Sequence, residues 1–391
     1  MPATPMKNLI YGAALPFLAP SPRGQMTHAV QGEIRTLAEY ERILCRHHVF
    51  GASLLLKDDH RQSMVHTSTR RPAHHADDRT LYRVASITKT ATALVTLMLA
   101  DQGLLTLDTP VGSILPEAGN EPALQGVTVR HLLCHRSGLR DTAAYQAALD
   151  KGESWQRVLR AEDVQGSRPG ESFSYCNFGF GLLGCAIESV TNKSVAAVFD
   201  ELLFRPAGMH ASLDASTLDE SLIMPITRVL PYRAGTDVTV TRLGRKPLAA
   251  PQPLLHFGHT AGAMYTDAPS LSRMLTLIAC HGALDGRQLV SEAAIREMTT
   301  LHGYSGPKDK PIRRYGLGLV LLENPSVSSR RLLGHQGFAY GCVDGAFVEE
   351  GTGRQVILLN GGSSERREGK LGLINRDTLR WALNREMPLW T

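Results

Sequence analysis

From Ser86 to Gln102 the chain contains neither glycine nor proline, and Leu94, Val95, Leu97, Met98 and Leu99 spread apolar side chains over most faces of the helix such a run forms. A helix that is apolar nearly all round must be enclosed, so the rest of the chain has to fold around it. It should stop at Gly103, a residue type that ends helices readily. Its first residue is a serine, which sets a hydroxyl at the entrance of a buried element. With 391 residues, 43% of them apolar and 20% charged, the chain has material enough for that enclosure.

The flanking sequence indicates how the enclosure is built. A helix is predicted over Ile34 to His47, and Gly51 to Lys57 reads as a short buried strand. Between about Leu105 and Pro251, helical stretches (Val129 to His135, Glu153 to Leu159, Gly179 to Val190, Val195 to Leu203) alternate with loops rich in proline and glycine. Beyond Gly262, a helix from Ala268 to Cys280 gives way to the short apolar runs Tyr315 to Leu322, Arg331 to Gly334, Gly345 to Glu349 and Arg354 to Asn360. The turns between them are too short for helical crossovers, which predicts an antiparallel sheet. A last helix, about Leu373 to Leu383 and carrying Trp381, should cover one face. The predicted class is α/β: an antiparallel sheet flanked by helices, with an inserted mainly α-helical region. Residues 1–33 are set apart as an unassigned N-terminal extension. Residues 34–391 form one domain, with 34–104 and 262–391 as its α/β part and 105–261 as its helical part.

Charge narrows the partners. Lysine and arginine exceed aspartate and glutamate by only 42 to 37, and the excess is scattered, so the clustered basic stripe of a nucleic-acid binder is missing. The six cysteines lie far apart without a C-x-x-C pair, which reads as free thiols in a reducing compartment. Lys7 ahead of the apolar stretch Leu9 to Ala19 raises the question of a signal peptide; Pro16 within the stretch and the lack of a clean cleavage site tilt the expectation to the cytoplasm. No run reaches the ~18 apolar residues of a membrane span.

Three groups of residues carry chemistry. Ser86-Ile87-Thr88-Lys89 puts a serine and a lysine one helical turn apart on one face, where a desolvated, neutral amine can take the serine proton and the helix N-terminus offers N–H groups to an oxyanion. Tyr175-Cys176-Asn177 offers a phenol able to shuttle a proton and an amide able to hold both a substrate carbonyl and the lysine. His335-Gln336-Gly337 precedes Phe338 at the end of a predicted strand, where glycine permits close approach and the Phe338 N–H becomes a second oxyanion donor. Each pattern alone is weak. Ser305-Gly306-Pro307-Lys308 repeats the first spacing, but its glycine and proline oppose a helix. His256-Phe257-Gly258 repeats the third but precedes the β-rich section, so it reads as loop structure. His74-His75-Ala76-Asp77-Asp78 reads as a solvated rim loop with no metal, and Cys176 lacks a base at defined spacing. There is no G-x-S-x-G elbow, P-loop or G-x-G-x-x-G.

In their order along the chain these groups resemble the three boxes of the serine β-lactamase and penicillin-binding protein superfamily: S-x-x-K, then Y-x-N, then a variant of K-T-G. Leu81 to Ser86 resembles the family's lead-in, Thr128 to Leu139 its "LLTHTSGL" segment, and Tyr315-Gly316-Leu317-Gly318 a late strand. The resemblance runs from about residue 35 to 385. It implies a β-lactamase/transpeptidase-like fold and, through the tyrosine version of the second box, the branch of class C β-lactamases, D-aminopeptidases and related esterases. It also implies Ser86, Lys89 and Tyr175 as catalytic residues, with Asn177, His335, Gln336, Gly337 and Phe338 around the substrate. The function expected is a serine hydrolase cleaving an ester or amide of a small molecule or short peptide through an acyl-enzyme, without cofactor or metal. A D-Ala-D-Ala carboxypeptidase or β-lactamase, an acyltransferase, and a catalytically silent sensor of the same fold stay open as alternatives. His335 and Gln336 replace the lysine and threonine of the third box, which favours esters over carboxylate-bearing lactams and sets an acidic activity limb near the ordinary histidine pKa of ~6.5.

Overall fold

The computed structural model describes residues 4–34, 36–115, 118, 121–233, 248–304 and 314–383. Its centre is a ten-stranded antiparallel sheet. In spatial order the strands are Met26–Gln31, Gln62–Arg70, Ala52–Lys57, Gln355–Asn360, Cys342–Glu349, Leu332–Ala339, Val320–Leu322, Arg314–Tyr315 and Gly303–Tyr304, with Ala73–His74 added on Gln62–Arg70. The first and last parts of the chain therefore meet in mid-sheet, where Leu54 pairs with Leu358 and Ala52 with Asn360.

Successive residues of a strand point to opposite faces, and both faces here are apolar. Leu54, Leu56, Val356 and Leu358 join one core cluster with the helices Leu37–Arg46 and Leu373–Leu383, whose Tyr40 and Trp381 rings stack 5.4 Å apart. Leu55, Ile357 and Leu359 join the other, which holds the Thr88–Asp101 helix and most of the helical region. That enclosed helix buries every side chain from Thr88 to Leu99. Its threonines are tolerated because their hydroxyls return to carbonyls: Thr92 to Thr88 at 3.1 Å, Thr96 to Thr92 at 2.8 Å, and Thr90 to Gly318 at 2.9 Å.

Several expectations need correction. Met26–Gln31, placed in the extension by sequence, is an edge strand paired with Met64–Thr69; its mostly exposed residues leave no apolar alternation to read. The run Tyr315 to Leu322 is not one strand, because Gly316 to Leu319 turn between Arg314–Tyr315 and Val320–Leu322. Gly318 makes that turn at φ +62°, a conformation glycine adopts without penalty. His74 is not on a solvated rim: it is buried, with Nε2 3.2 Å from the Thr227 hydroxyl. Ser305 to Lys308 lies outside the described residues. All six cysteines are free thiols, and among the described residues no single helix is long and apolar enough to cross a membrane.

Candidate active site

Ser86 sits in a 3₁₀ turn, Ala85–Ile87, that feeds directly into the Thr88–Asp101 helix. Ala85 before it adopts φ +44°, a strained conformation for a residue with a Cβ. The Leu332–Ala339 strand crosses this turn at Gly337, where a Cβ would collide with the Val84 carbonyl oxygen and lie 3.2 Å from Ala85 Cβ. Glycine is thus required for the strand to reach the Ser86 turn.

Lys89, the second residue of that helix and one turn on from Ser86, is completely buried. Its Nζ lies 2.6 Å from the Ala261 carbonyl, 2.8 Å from Asn177 Oδ1 and 3.1 Å from Ser86 Oγ. The first two partners only accept. A neutral amine has two N–H bonds to satisfy them, and its lone pair is left facing Ser86 Oγ–H. Burial pulls the Lys89 pKa from 10.5 down to about 7, against a smaller upward pull from Asp141. The neutral form is thereby within reach at ordinary pH.

Asn177 begins the Asn177–Thr191 helix, and Asp141 organises that end. Its carboxylate accepts from the Asn177 N–H at 3.0 Å, the Asn177 amide nitrogen at 2.7 Å and the Phe178 N–H at 2.9 Å. A carboxylate here satisfies orphan helix N–H groups and complements the dipole. Tyr175 precedes the helix and lines the same cleft as Ser86, with its ring centroid 5.0 Å from Lys89 Nζ. It is 40% exposed toward the cleft, but the protein around its hydroxyl still raises the pKa through desolvation, so the phenol stays protonated.

His335 is buried across the cleft. Nδ1 lies 2.6 Å from the Gln336 carbonyl, which can only accept, so the proton is on Nδ1. Nε2 then accepts from the Tyr315 hydroxyl at 2.9 Å. Burial, and secondarily the Lys89 charge, push the His335 pKa to about 3, which corrects the expected value near 6.5. Gln336 points the other way along the strand. Its amide donates to the Lys370 carbonyl at 2.6 Å and accepts from the Gly372 N–H at 3.0 Å, tying down the Arg367–Glu368/Leu371–Gly372 hairpin.

These groups open on a cleft of about 470 Å³. Phe173, Tyr315, Val320 and Phe338 give it an apolar wall, and Arg367 and Lys370 line the hairpin side. The Arg367 guanidinium lies 3.7 Å from the centroid of the Phe338 ring. The third motif lacks a permanent cation, yet the cleft has two from a separate segment. Sequence reasoning did not single out Asp141, Ala261, Arg367 or Lys370; no local pattern marks residues that converge only through the fold.

A sequence model described as Beta-lactamase matches residues 30–374. The chain belongs to this family. Among members of the beta-lactamase family, it is 29% identical to esterase EstB of Burkholderia gladioli over 77% of this chain and 82% of that protein. It is also 29% identical to penicillin-binding protein 4 of Amycolatopsis lactamdurans, over 44% of this chain and 47% of that one. The fold matches a crystal structure of D-amino acid amidase from Ochrobactrum anthropi SV3 at a TM-score of 0.69 and 22% identity, covering 86% of this chain and 95% of that one. The α/β class with a large antiparallel sheet is the fold these relatives share. Among the described residues no group of three or more His, Cys, Asp or Glu is placed to hold a metal ion.

Proposed function

We propose that this beta-lactamase family member is a serine hydrolase of esterase or amidase type, acting through an acyl-enzyme on Ser86. The observation that carries the reading is the wholly buried Lys89 amine, 3.1 Å from Ser86 Oγ, with its two N–H bonds committed elsewhere. In that arrangement Lys89 takes the Ser86 proton as Oγ attacks the acyl carbon. The main-chain N–H groups of Ser86 and Phe338 are assigned to the developing oxyanion. Tyr175, beside Ser86 on the cleft and kept protonated by its surroundings, delivers a proton to the departing alcohol or amine. Water then attacks the ester on Ser86 with the same groups in reversed roles. His335 is a neutral wall residue held by Tyr315, and Gln336 braces the hairpin of the cleft. The esterase relative and the amidase of the same fold support the reaction class.

Intact-mass spectrometry after exposure to a fluorophosphonate, together with turnover of p-nitrophenyl esters and D-amino-acid amides, tests this reading. A single adduct and turnover, both lost in Ser86→Ala, are expected. An adduct at full stoichiometry on Ser86→Ala would overturn it.

A further inference from the structure

We infer that His135 is a positioning residue for Tyr175, gripping it through the backbone on both sides and across its ring; this rests on the proton-donor role proposed for Tyr175. The His135 carbonyl accepts from the Ser174 N–H at 2.8 Å. Its Nδ1 lies 3.1 Å from the Cys176 backbone nitrogen. Between these bonds the imidazole sits against the Tyr175 ring, with centroids 4.2 Å apart and planes inclined by 36°. One residue thus fixes the chain before Tyr175, the chain after it and one face of its ring.

The Cys176 bond also fixes the imidazole's state. A backbone N–H only donates, so Nδ1 accepts and the proton is on Nε2. Nε2 is buried without a hydrogen-bond partner among the described residues, and the ring lies within 4.9 Å of Phe180, 4.8 Å of Tyr315 and 5.9 Å of Phe173, centroid to centroid. Burial first, and Lys89 secondarily, push the His135 pKa well below the ordinary histidine value, so the group is neutral. His135 does this from φ +57°, a left-handed conformation that few non-glycine residues adopt and histidine tolerates better than most. His135 touches neither Ser86 nor Lys89 in any hydrogen bond of the site. Its influence passes through Tyr175.

The grip matters for one chemical event, transfer of the tyrosine proton to the leaving group. A p-nitrophenolate departs without that proton; an alkoxide does not. A loosened Tyr175 therefore penalises poor leaving groups selectively, whereas general damage to the site penalises all substrates alike. The test measures kcat/KM for esters of one acid with alcohols graded from p-nitrophenol to ethanol, on His135→Phe, which keeps a ring and loses the acceptor. His135→Asn, which suits the left-handed backbone and retains an acceptor oxygen, is the second variant. His135→Phe is expected to lose on the order of 100-fold on the ethyl ester and less than about 5-fold on the p-nitrophenyl ester, in line with the usual worth of a general acid. Tyr175→Phe should show the same split, His135→Asn should recover part of the ethyl-ester activity, and the double variant should lose no more than Tyr175→Phe alone. A uniform loss along the series, or an additive double variant, overturns the inference; so does wild-type ethyl-ester activity in both His135 variants. If Tyr175→Phe splits the series and the His135 variants do not, only the positioning role falls. If Tyr175→Phe shows no split, the proton-donor role assigned to Tyr175 falls as well. Should His135→Phe fail to fold, the His135→Asn series decides the question by the same criteria.

Discussion

Asp141 Oδ2 accepts from the Asn177 amide nitrogen at 2.7 Å, and that bond decides that the oxygen end of the amide faces Lys89. Asp141→Asn would put a possible donor where the Asn177 amide and two helix N–H groups need an acceptor. We expect kcat/KM to fall by about 10- to 100-fold, the size of a disturbed orienting hydrogen bond. Because the Asp141 charge raises the Lys89 pKa, removing it should also move the acidic limb down, by an amount that solvent screening keeps small for so exposed a carboxylate. A pH–rate profile of the variant reads both effects; a limb that moves up contradicts the assignment.

On the proposed mechanism the acidic limb is expected to follow Lys89. With its pKa brought to about 7, the amine is a base above that pH and an ammonium below it, so kcat/KM should rise as pH increases through about 7. His335, pushed to about 3, is already neutral throughout that range. His335→Gln should therefore leave the limb where it is. A limb that disappears in His335→Gln would return the titration to the histidine.

The same buried amine burdens the fold. Between about pH 7 and 10.5 the unfolded chain holds the Lys89 proton and the folded chain does not, so unfolding takes up a proton and stability rises with pH across this window. Lys89→Met should abolish that rise. At pH 7 it should stabilise the protein by on the order of 2 kcal/mol, the depressed pKa being worth more than this and the lost bonds to Ala261 and Asn177 offsetting part of it. Urea unfolding at pH 7 and pH 10 on both proteins checks the sign: wild type gains stability from this group at the higher pH and the variant does not.

Gly337→Ala should be among the most damaging single-methyl additions. The new Cβ would strike the Val84 carbonyl, and backbone cannot give way as a side chain end can. We expect about 1–3 kcal/mol of destabilisation from overpacking. Catalysis should fall further than stability alone explains, since displacement would disturb the proposed pairing of the Phe338 and Ser86 N–H groups as oxyanion donors. A variant with reduced melting temperature and unchanged kcat would dissociate the strand from the oxyanion site.

What the sequence made legible was local. The enclosed helix, its end before Gly103, and the pairing of Ser86 with Lys89 follow from periodicity and spacing within a few residues, and the Ala268–Ala279 and Leu373–Leu383 helices fall where their patterns put them. What stayed hidden depends on long-range contact. Nothing near Asp141 announces that it caps a helix 36 residues on, and the carbonyl of Ala261 carries no side-chain signature at all. Gln336 reads as a substrate-side residue by analogy with the third box, and it lines the cleft; the sequence does not show that its amide also holds the hairpin at Lys370 while His335 bonds Tyr315. The edge strand Met26–Gln31 buries too little to show any alternation.

The pairing of Leu54 with Leu358 sets an order of events during synthesis. A ribosome that has made the Ser86 helix has yet to make the strand pair on which the sheet closes and the Gly337 crossing that shapes the Ser86 turn. The helical segments between can collapse on local contacts, while the mid-sheet ladder waits for nearly the whole polypeptide. The nascent chain therefore carries its serine and lysine through most of translation without the wall that completes the cleft. The cleft around Ser86 is thus completed late, once the Leu332–Ala339 strand has been made.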